Sequence, residues 1–337
     1  MPKLVSSHES ITVHELKRFG PFPLKFIFLA FSLLFLLLFR IKRASFILVQ
    51  NPPCIPTFAV VKLACWLKGM KMIIDWHNLG YTIMRIKFKR LKWLIKACEE
   101  YELFVGAQAD FHFCVTKGLK KFLIFKGIKQ EIIKVVYDLP TVQSSNQESS
   151  ILESLGLKNS FVMMTSTSWT DDEDFELLLD ALRLLDNSRA LRTKLALVIT
   201  GKGPNKAAFE EKLSLQPFRN VIVKLAWLSS SHYFSLISEC NVGVCLHFSS
   251  SGLDFPMKII DMFGSGLPVI AFDFPCLHEL VQVGKNGLVF KTANELASCI
   301  ERCIENDTVL MEMRNNLQNS KKVTWASFYK REVLPVL

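Results

Sequence analysis

Two apolar rhythms alternate along this chain. Short continuous runs such as KMIIDW, FVMMTS, KLALVIT, VIVKLA and PVIAF suit strands buried on both faces. Between them, TFAVVKLACWLK, DFELLLDALRLLD and NELASCIERCIEN repeat apolar residues every three or four positions, the period of a helix with one buried face. The first part reads as strand SFILVQ, helix TFAVVKLACWLKG, strand MKMIIDW, helix LKWLIKACEEYELFVGAQA, strand DFHFCVT, helix KGLKKFLIFKG and strand IIKVVYD. The polar, proline-led LPTVQSSNQESS interrupts the rhythm, and five more strands separated by helices follow. This alternation predicts an α/β fold: two doubly wound, Rossmann-like domains facing a cleft, residues 1–140 and 151–337, joined by a linker at 141–150. In such sheets ligands lie beyond the carboxyl ends of the strands.

One apolar stretch breaks the pattern. LKFIFLAFSLLFLLLFRIKR has an uncharged core, Phe26 to Phe39, too short for the roughly 20 residues a spanning helix needs. It is either a buried crossover helix or one dipping into a membrane interface, and Arg40, Lys42 and Arg43 directly after it favour the second. Charge sharpens this. Residues 1–140 hold 22 Lys/Arg against 9 Asp/Glu, and residues 141–337 hold 19 against 22. The excess positive charge of the first half fits an anionic membrane surface, a phosphate-bearing substrate or a solvated basic face. No nucleic-acid recognition motif accompanies it. The nine cysteines form no C-x-x-C pair or zinc-spaced cluster and are expected to be reduced.

Four segments carry chemistry. VITGKGP runs a strand into Gly201, Lys202 and Gly203 before a helix, which fits either a backbone approach to a phosphate or a glycine turn with a solvated lysine. TSTSWTDDEDF (165–175) puts Ser168 and Trp169 at a strand end and acids at a helix start, where a helix dipole explains the acids. SSSGLDFPMKIIDMFG (249–264) joins a strand to a helix through Ser249, Ser250, Ser251 and Gly252, with Leu253, Pro256 and Met257 leading in. Hydroxyls and amides at a helix start, with Lys258 adding a cation, suit a diphosphate. Asp261 is either a ribose-binding carboxylate or a solvated helix residue, and Asp254 either a base or an N-cap. DWHN places Asp75 and His77 together at a strand end, and a basic run with six cations from Arg85 to Lys96 follows, interleaved with Phe88, Leu91 and Trp93. No D-x-D carboxylate pair stands in these segments apart from the DDED run, so no metal or other cofactor is required by the sequence.

LVQNPP, IIDWHNLGYTIM, TSTSWTDDEDF, ITGKGP and SSSGLDFPMKIIDMFG, in that order and extended by CLHELV and NGLVF, resemble the chitobiosyldiphosphodolichol β-mannosyltransferase family of GT-B glycosyltransferases. The resemblance implies transfer of mannose from GDP-mannose, with inversion and a β-1,4 linkage, to a dolichol-diphosphate chitobiose. The setting it implies is the cytosolic face of the endoplasmic reticulum membrane, alongside other glycosyltransferases of the same pathway. It implies a donor site from the residues of the three second-half segments named above, with Asp75, His77 and Asp254 as catalytic candidates. Asn78, Tyr81, Arg85, Lys87, Lys89, Arg90 and Lys92 fall to the acceptor and membrane side. His77 is then a base, a ligand of mannose or phosphate, or a structural histidine, and Asp254 is the rival base. Retaining relatives carry two glutamates with seven residues between them, which would place the first on Leu253; here the spacing is Asp254-x6-Asp261, which suits the inverting family. Family members also begin with an anchor, a first strand and a glycine loop that precede the matched blocks, so the first domain is expected to be incomplete at its start. The alternative function is a catalytically inactive, membrane-associated binding or regulatory subunit.

Overall fold

The computed structural model describes residues 11–16, 20–21, 24–88, 90–140, 150–188, 193–320 and 324–336. Lys89 and all of the expected linker except Ser150 lie outside the described residues. The chain divides into two compact units: residues up to Cys114 with Phe122–Lys134, and Val115–Lys121 with Val135 onward. Two segments before residue 140 therefore belong to the second unit. Hydrogen bonds explain why. The Thr116 hydroxyl donates to the Leu253 carbonyl (2.7 Å), and the amides of Lys117 and Gly118 donate to the Glu279 carboxylate (2.8 and 2.9 Å). Tyr137 donates to the same carboxylate and stacks on Phe255.

In the first unit, β1 (Phe46–Asn51), β2 (Lys71–Trp76), β3 (Phe111–Cys114) and β4 (Ile133–Val135) form one sheet in that order, with β1, β2 and β3 parallel. Helix α1 (Leu24–Phe35) continues into a π-helical turn, Leu36–Arg40. Helix α2 (Thr57–Lys68) crosses from β1 to β2, and its Lys68 ammonium ties down the carbonyls of Leu37 (3.0 Å) and Ile41 (2.5 Å). No residue of α1 is buried; Phe26, Phe28, Phe31 and Phe35 are exposed, as are Phe39 on the π-helical turn and Trp66 on α2. No helix among the described residues is long and apolar enough to cross a membrane.

Helices α3 (Gly80–Lys87) and α4 (Lys92–Gly106) follow β2. The basic run is therefore not one helix: α3 ends at Lys87 and α4 begins at Lys92. Helix α5 (Lys117–Phe125) leads towards β4, and the short α6 (Ile151–Ser154) precedes the strands of the second unit.

Among the described residues the second unit has six strands: β5 (Phe161–Ser166), β6 (Leu195–Thr200), β7 (Val221–Ala226), β8 (Val242–Cys245), β9 (Val269–Phe272) and β10 (Gly287–Phe290). Their order is β10-β9-β8-β5-β6-β7, all parallel. Read from β5, the chain winds out through β6 and β7, then returns to β8 and winds the other way. That reversal is the topological switch point of a doubly wound sheet, where ligands bind beyond the ends of β5 and β8. Side chains alternate along β5 between two cores. Phe161 and Met163 pack with Leu178 and Leu182, on α7 (Phe175–Asp186), and with Leu296 and Ile300, on α11 (Ala293–Glu305). Val162 and Met164 pack with Leu236, on α9 (Ser230–Glu239), and Ile259, on α10 (Met257–Gly264). Helix α8 (Lys206–Leu215) joins β6 to β7, and α12 (Asp307–Ser320), absent from the expected elements, closes the first of these cores with Leu310 and Met313. The nine cysteines are free thiols.

Candidate active site

At the switch point, the segments leaving β5 and β8 are bound to each other. Glu173 and His247 form an antiparallel bridge, and the Phe248 amide donates to the Asp172 carbonyl (3.0 Å). Two polar links reinforce this. His247 Nδ1 pairs with Asp172 Oδ2 at 2.9 Å while its Nε2 lies 3.7 Å from Asp254 Oδ2. Burial disfavours the imidazolium, but Asp172 and Asp254 outweigh it and raise His247 to about 9. Burial likewise pushes Asp172 up, yet hydrogen bonds from His247 and Thr170 hold it well below the usual carboxylate range. The second link joins the Lys258 ammonium, at the start of α10, to Glu173 Oε1 (2.5 Å), whose other oxygen accepts the Thr167 hydroxyl. The Glu173 side chain is wholly buried.

Beside these links is a cavity of about 470 Å³ lined by Ser166, Thr167, Ser168, Thr200, Gly201, Lys202, Trp227, Leu228, Ser230, Tyr233 and Lys258. Of the expected donor residues it gathers Ser168, Gly201, Lys202 and Lys258. The Lys202 ammonium lies 4.2 Å from the centre of the exposed Trp227 ring. Tyr233 donates to the Ser166 hydroxyl (3.2 Å), and burial raises its phenol to about 12. Asp261 lies outside the lining but acts electrostatically on Tyr233, and burial raises its own carboxyl.

Several expected site residues stand elsewhere. Trp169 is fully buried, stacked on Phe175 at 4.6 Å and packed on Phe209, so it belongs to the core and not to the donor surface. It takes a left-handed φ of 53° because its amide donates to the Thr167 hydroxyl (2.7 Å) while the β6–α8 loop presses against it. Gly201 and Gly203 make that approach possible: a Cβ on Gly201 would sit 1.8 Å from the Thr167 carbonyl oxygen, and one on Gly203 1.7 Å from that of Ser168. The close approach the glycines allow is thus to neighbouring backbone, and Gly203 does not line the cavity.

The loop 249–254 folds onto Asp254. Ser249 donates to its carboxylate, Ser251 lies at 3.4 Å, and the Gly252 and Leu253 amides donate back to the Ser249 and Ser251 hydroxyls (2.7 and 3.1 Å). Asp254 caps no helix; Pro256 takes the N-cap position of α10, without a side-chain bond. Ser249 to Leu253, Pro256 and Met257 do not line the cavity, and Met257 is half exposed. Each acid of DDED also has a partner: Asp171 accepts from Asn205 (3.0 Å), Asp172 from His247, Glu173 from Lys258, and Asp174 caps α7. Among the described residues no group of three or more His, Cys, Asp or Glu is placed to hold a metal ion.

In the first unit, Asp75 and His77 do meet. His77 Nε2 lies 2.9 Å from Asp75 Oδ2, and both side chains are about one-quarter exposed (27% and 26%). The turn carrying them is built on buried Asn51, whose carbonyl accepts from the His77 amide (3.0 Å) and whose side chain donates to the Asn78 carbonyl (2.9 Å). Buried Glu102 on α4 accepts from Asn51 (2.7 Å) and from the amides of Gly80 and Tyr81 (2.8 and 3.0 Å) at the start of α3. Burial raises the Glu102 carboxyl. Tyr81, expected on the acceptor side, is buried, with Arg85 over its ring at 5.5 Å. Arg85, Lys87, Arg90 and Lys92 stand near the exposed Phe88, Leu91 and Trp93 in sequence.

Glu173, His247, Trp227 and Tyr233 escaped the sequence reading. The available signal was position: Trp227 and Tyr233 follow the end of β7, and His247 follows that of β8.

Comparison with known proteins bears on the family and the fold. Residues 159–306 match the family model described as glycosyl transferases group 1. Chitobiosyldiphosphodolichol beta-mannosyltransferase of Debaryomyces hansenii is 38% identical over 333 residues, covering 90% of this chain and 70% of that protein. The Mus musculus protein of the same name is 33% identical over 362 residues, covering 94% of this chain and 74% of its own length. The crystal structure of Anabaena HepE in complex with UDP superposes with a TM-score of 0.67 at 17% identity, covering 91% of this chain and 79% of that one. TarM of S. aureus gives 0.68 at 14%, covering 91% and 58%. The fold is that of the GT-B glycosyltransferases.

Proposed function

We propose that this chain, which belongs to the chitobiosyldiphosphodolichol β-mannosyltransferase family, transfers mannose from GDP-mannose to chitobiosyl-diphosphodolichol with inversion, forming a β-1,4 linkage. It is a glycosyltransferase. The observation that carries the donor half is the switch-point cavity, where Lys202 and Lys258 stand among hydroxyls at the end of the sheet. Two cations there offset the charge that develops on the departing GDP, and the Trp227 ring offers the purine a flat apolar face. Asp261 serves the ribose hydroxyls.

Inversion requires one base to take the acceptor proton as the sugar shifts. Asp254 is poorly suited, because its carboxylate is occupied by Ser249, Ser251 and the His247 imidazolium. His77 suits the role better. Donation of Nε2–H to Asp75 makes Nδ1 the basic nitrogen and stabilises the imidazolium that forms. On this reading the basic residues from Arg85 to Lys92, with exposed Phe88, Leu91 and Trp93, meet an anionic bilayer at the cytosolic face of the endoplasmic reticulum.

Incubation of the folded chain with GDP-mannose and chitobiosyl-diphosphate lipid tests the reaction. A β-linked mannosyl product is expected. Donor binding without transfer would turn the reading to a non-catalytic binding subunit, and absence of both from a folded sample would sink it.

A further inference from the structure

We infer that Glu173 is a positioning residue for the donor: its buried carboxylate holds the Lys258 ammonium at the wall of the switch-point cavity. This rests on the donor reading above. Among the acids of DDED, Glu173 alone has a wholly buried side chain bound to a cation that lines the cavity. A helix dipole does not account for it, since Asp174, not Glu173, caps α7. Burying a carboxylate is costly unless its oxygens are hydrogen-bonded, and here both are. Oε1 takes the ammonium at 2.5 Å, and Oε2 takes the Thr167 hydroxyl.

The residue is fixed along its backbone as well. Its bridge to His247 and the bond from Phe248 to Asp172 lock it onto the segment leaving β8. Lysine is a long, flexible cation with three donors. Anchoring one donor to an immobile carboxylate orients the other two, so that the ammonium reaches a diphosphate without first being ordered by it. The pair also stands between two cavities: Lys258 lines the one described above, and Glu173 lines a second of about 380 Å³ beside α7 and α8. Loss of the carboxylate would free the ammonium to swing from the wall.

A double-mutant cycle separates this role from a general effect on folding. Glu173→Gln, Lys258→Met and the double variant are compared for GDP dissociation constant, and for KM and kcat with GDP-mannose. Glu173→Gln alone is expected to weaken GDP and raise donor KM about 10-fold, with a smaller change in kcat. In the Lys258→Met background the same change is expected to add less than about 2-fold, because the group it positions is gone. An equal factor in both backgrounds overturns the proposal. Should Glu173→Gln fail to fold, Glu173→Asp, which keeps the charge but withdraws it by one methylene, carries the same cycle. Wild-type binding of UDP in place of GDP would overturn the donor reading and leave the cycle to be run with UDP. A folded wild type that binds neither overturns both.

Discussion

Each α/β unit sets a histidine against its sheet, His112 and His247, and the two rings titrate in opposite directions. His112, on β3, accepts a hydrogen bond from the Trp76 indole (3.1 Å), and burial pushes it down to about 4. His247, just past β8, is partly buried, yet two carboxylates raise it to about 9. The difference lies in what faces the ring. In the first unit a neutral imidazole completes a hydrophobic layer with Trp76 and Phe58. In the second, an imidazolium between Asp172 and Asp254 joins two loops that are also held by backbone bonds and by the Lys258–Glu173 pair. Buried polarity in the second unit is thus concentrated at the switch point, where a nucleotide sugar would need rigid walls. The polar network of the first unit, Asn51 with Glu102, instead supports the turn that carries Asp75 and His77.

Four measurements would break or sharpen this comparison. The largest effect is expected from His77→Ala, which should lower kcat by about 10²–10⁴-fold while leaving GDP affinity within about 2-fold. A matching loss of GDP affinity in binding titrations would show that the two units do not divide the work as argued. Lys258→Ala should act in the opposite sense, raising donor KM about 10–100-fold with a smaller change in kcat. Unchanged GDP affinity would remove Lys258 from the donor site.

Stability against pH tests the histidines directly. The folded pKa of His247 is raised from 6.5 to about 9, so its contribution is fully present below pH 6.5 and is lost as pH rises through 9. His247→Gln should therefore cost about 3 kcal/mol near pH 6 in denaturant unfolding, with the gap closing by about pH 10. His112 has the reverse sign. Its folded pKa is depressed, so stability is retained above pH 6.5 and declines as pH falls towards 4. His112→Phe should cost about 1–2 kcal/mol at pH 8, for the lost acceptor of Trp76, and that gap should shrink or reverse near pH 4. Parallel profiles for the two variants would refute the opposed titrations.

Much of this was legible in the residues. The strands of both units appear as continuous apolar runs because both faces of a parallel sheet are covered, and such runs need no partner to be recognised. Lys202 and Lys258, each near a helix start after a strand, read as cations for one ligand, and they do line one cavity. The acids of TDDED misled for a physical reason. A carboxylate at a helix start always has a local explanation, and Asp174 satisfies it, which hides the quite different partners of Asp172 and Glu173. Trp169 misled likewise: an aromatic residue after a strand resembles a ligand platform unless Phe175 and Phe209 are known to cover it. The compact units divide near residues 115 and 135, not at a linker alone, because Glu279 and Leu253 hold residues near 116 and 137 from far along the chain.

The sequence by itself determined the α/β alternation, the basic first half, the Asp75–His77 pair and the Asp254-x6-Asp261 spacing, since each is set by neighbours along the chain. Only the tertiary structure decided that Glu173 grips Lys258, that His247 lies between Asp172 and Asp254, and that the 249–254 loop closes on Asp254. The first two depend on β5 lying beside β8, an adjacency produced by the reversal of the sheet winding. Residues 75 and 85 positions apart meet there, and no local period records that they will.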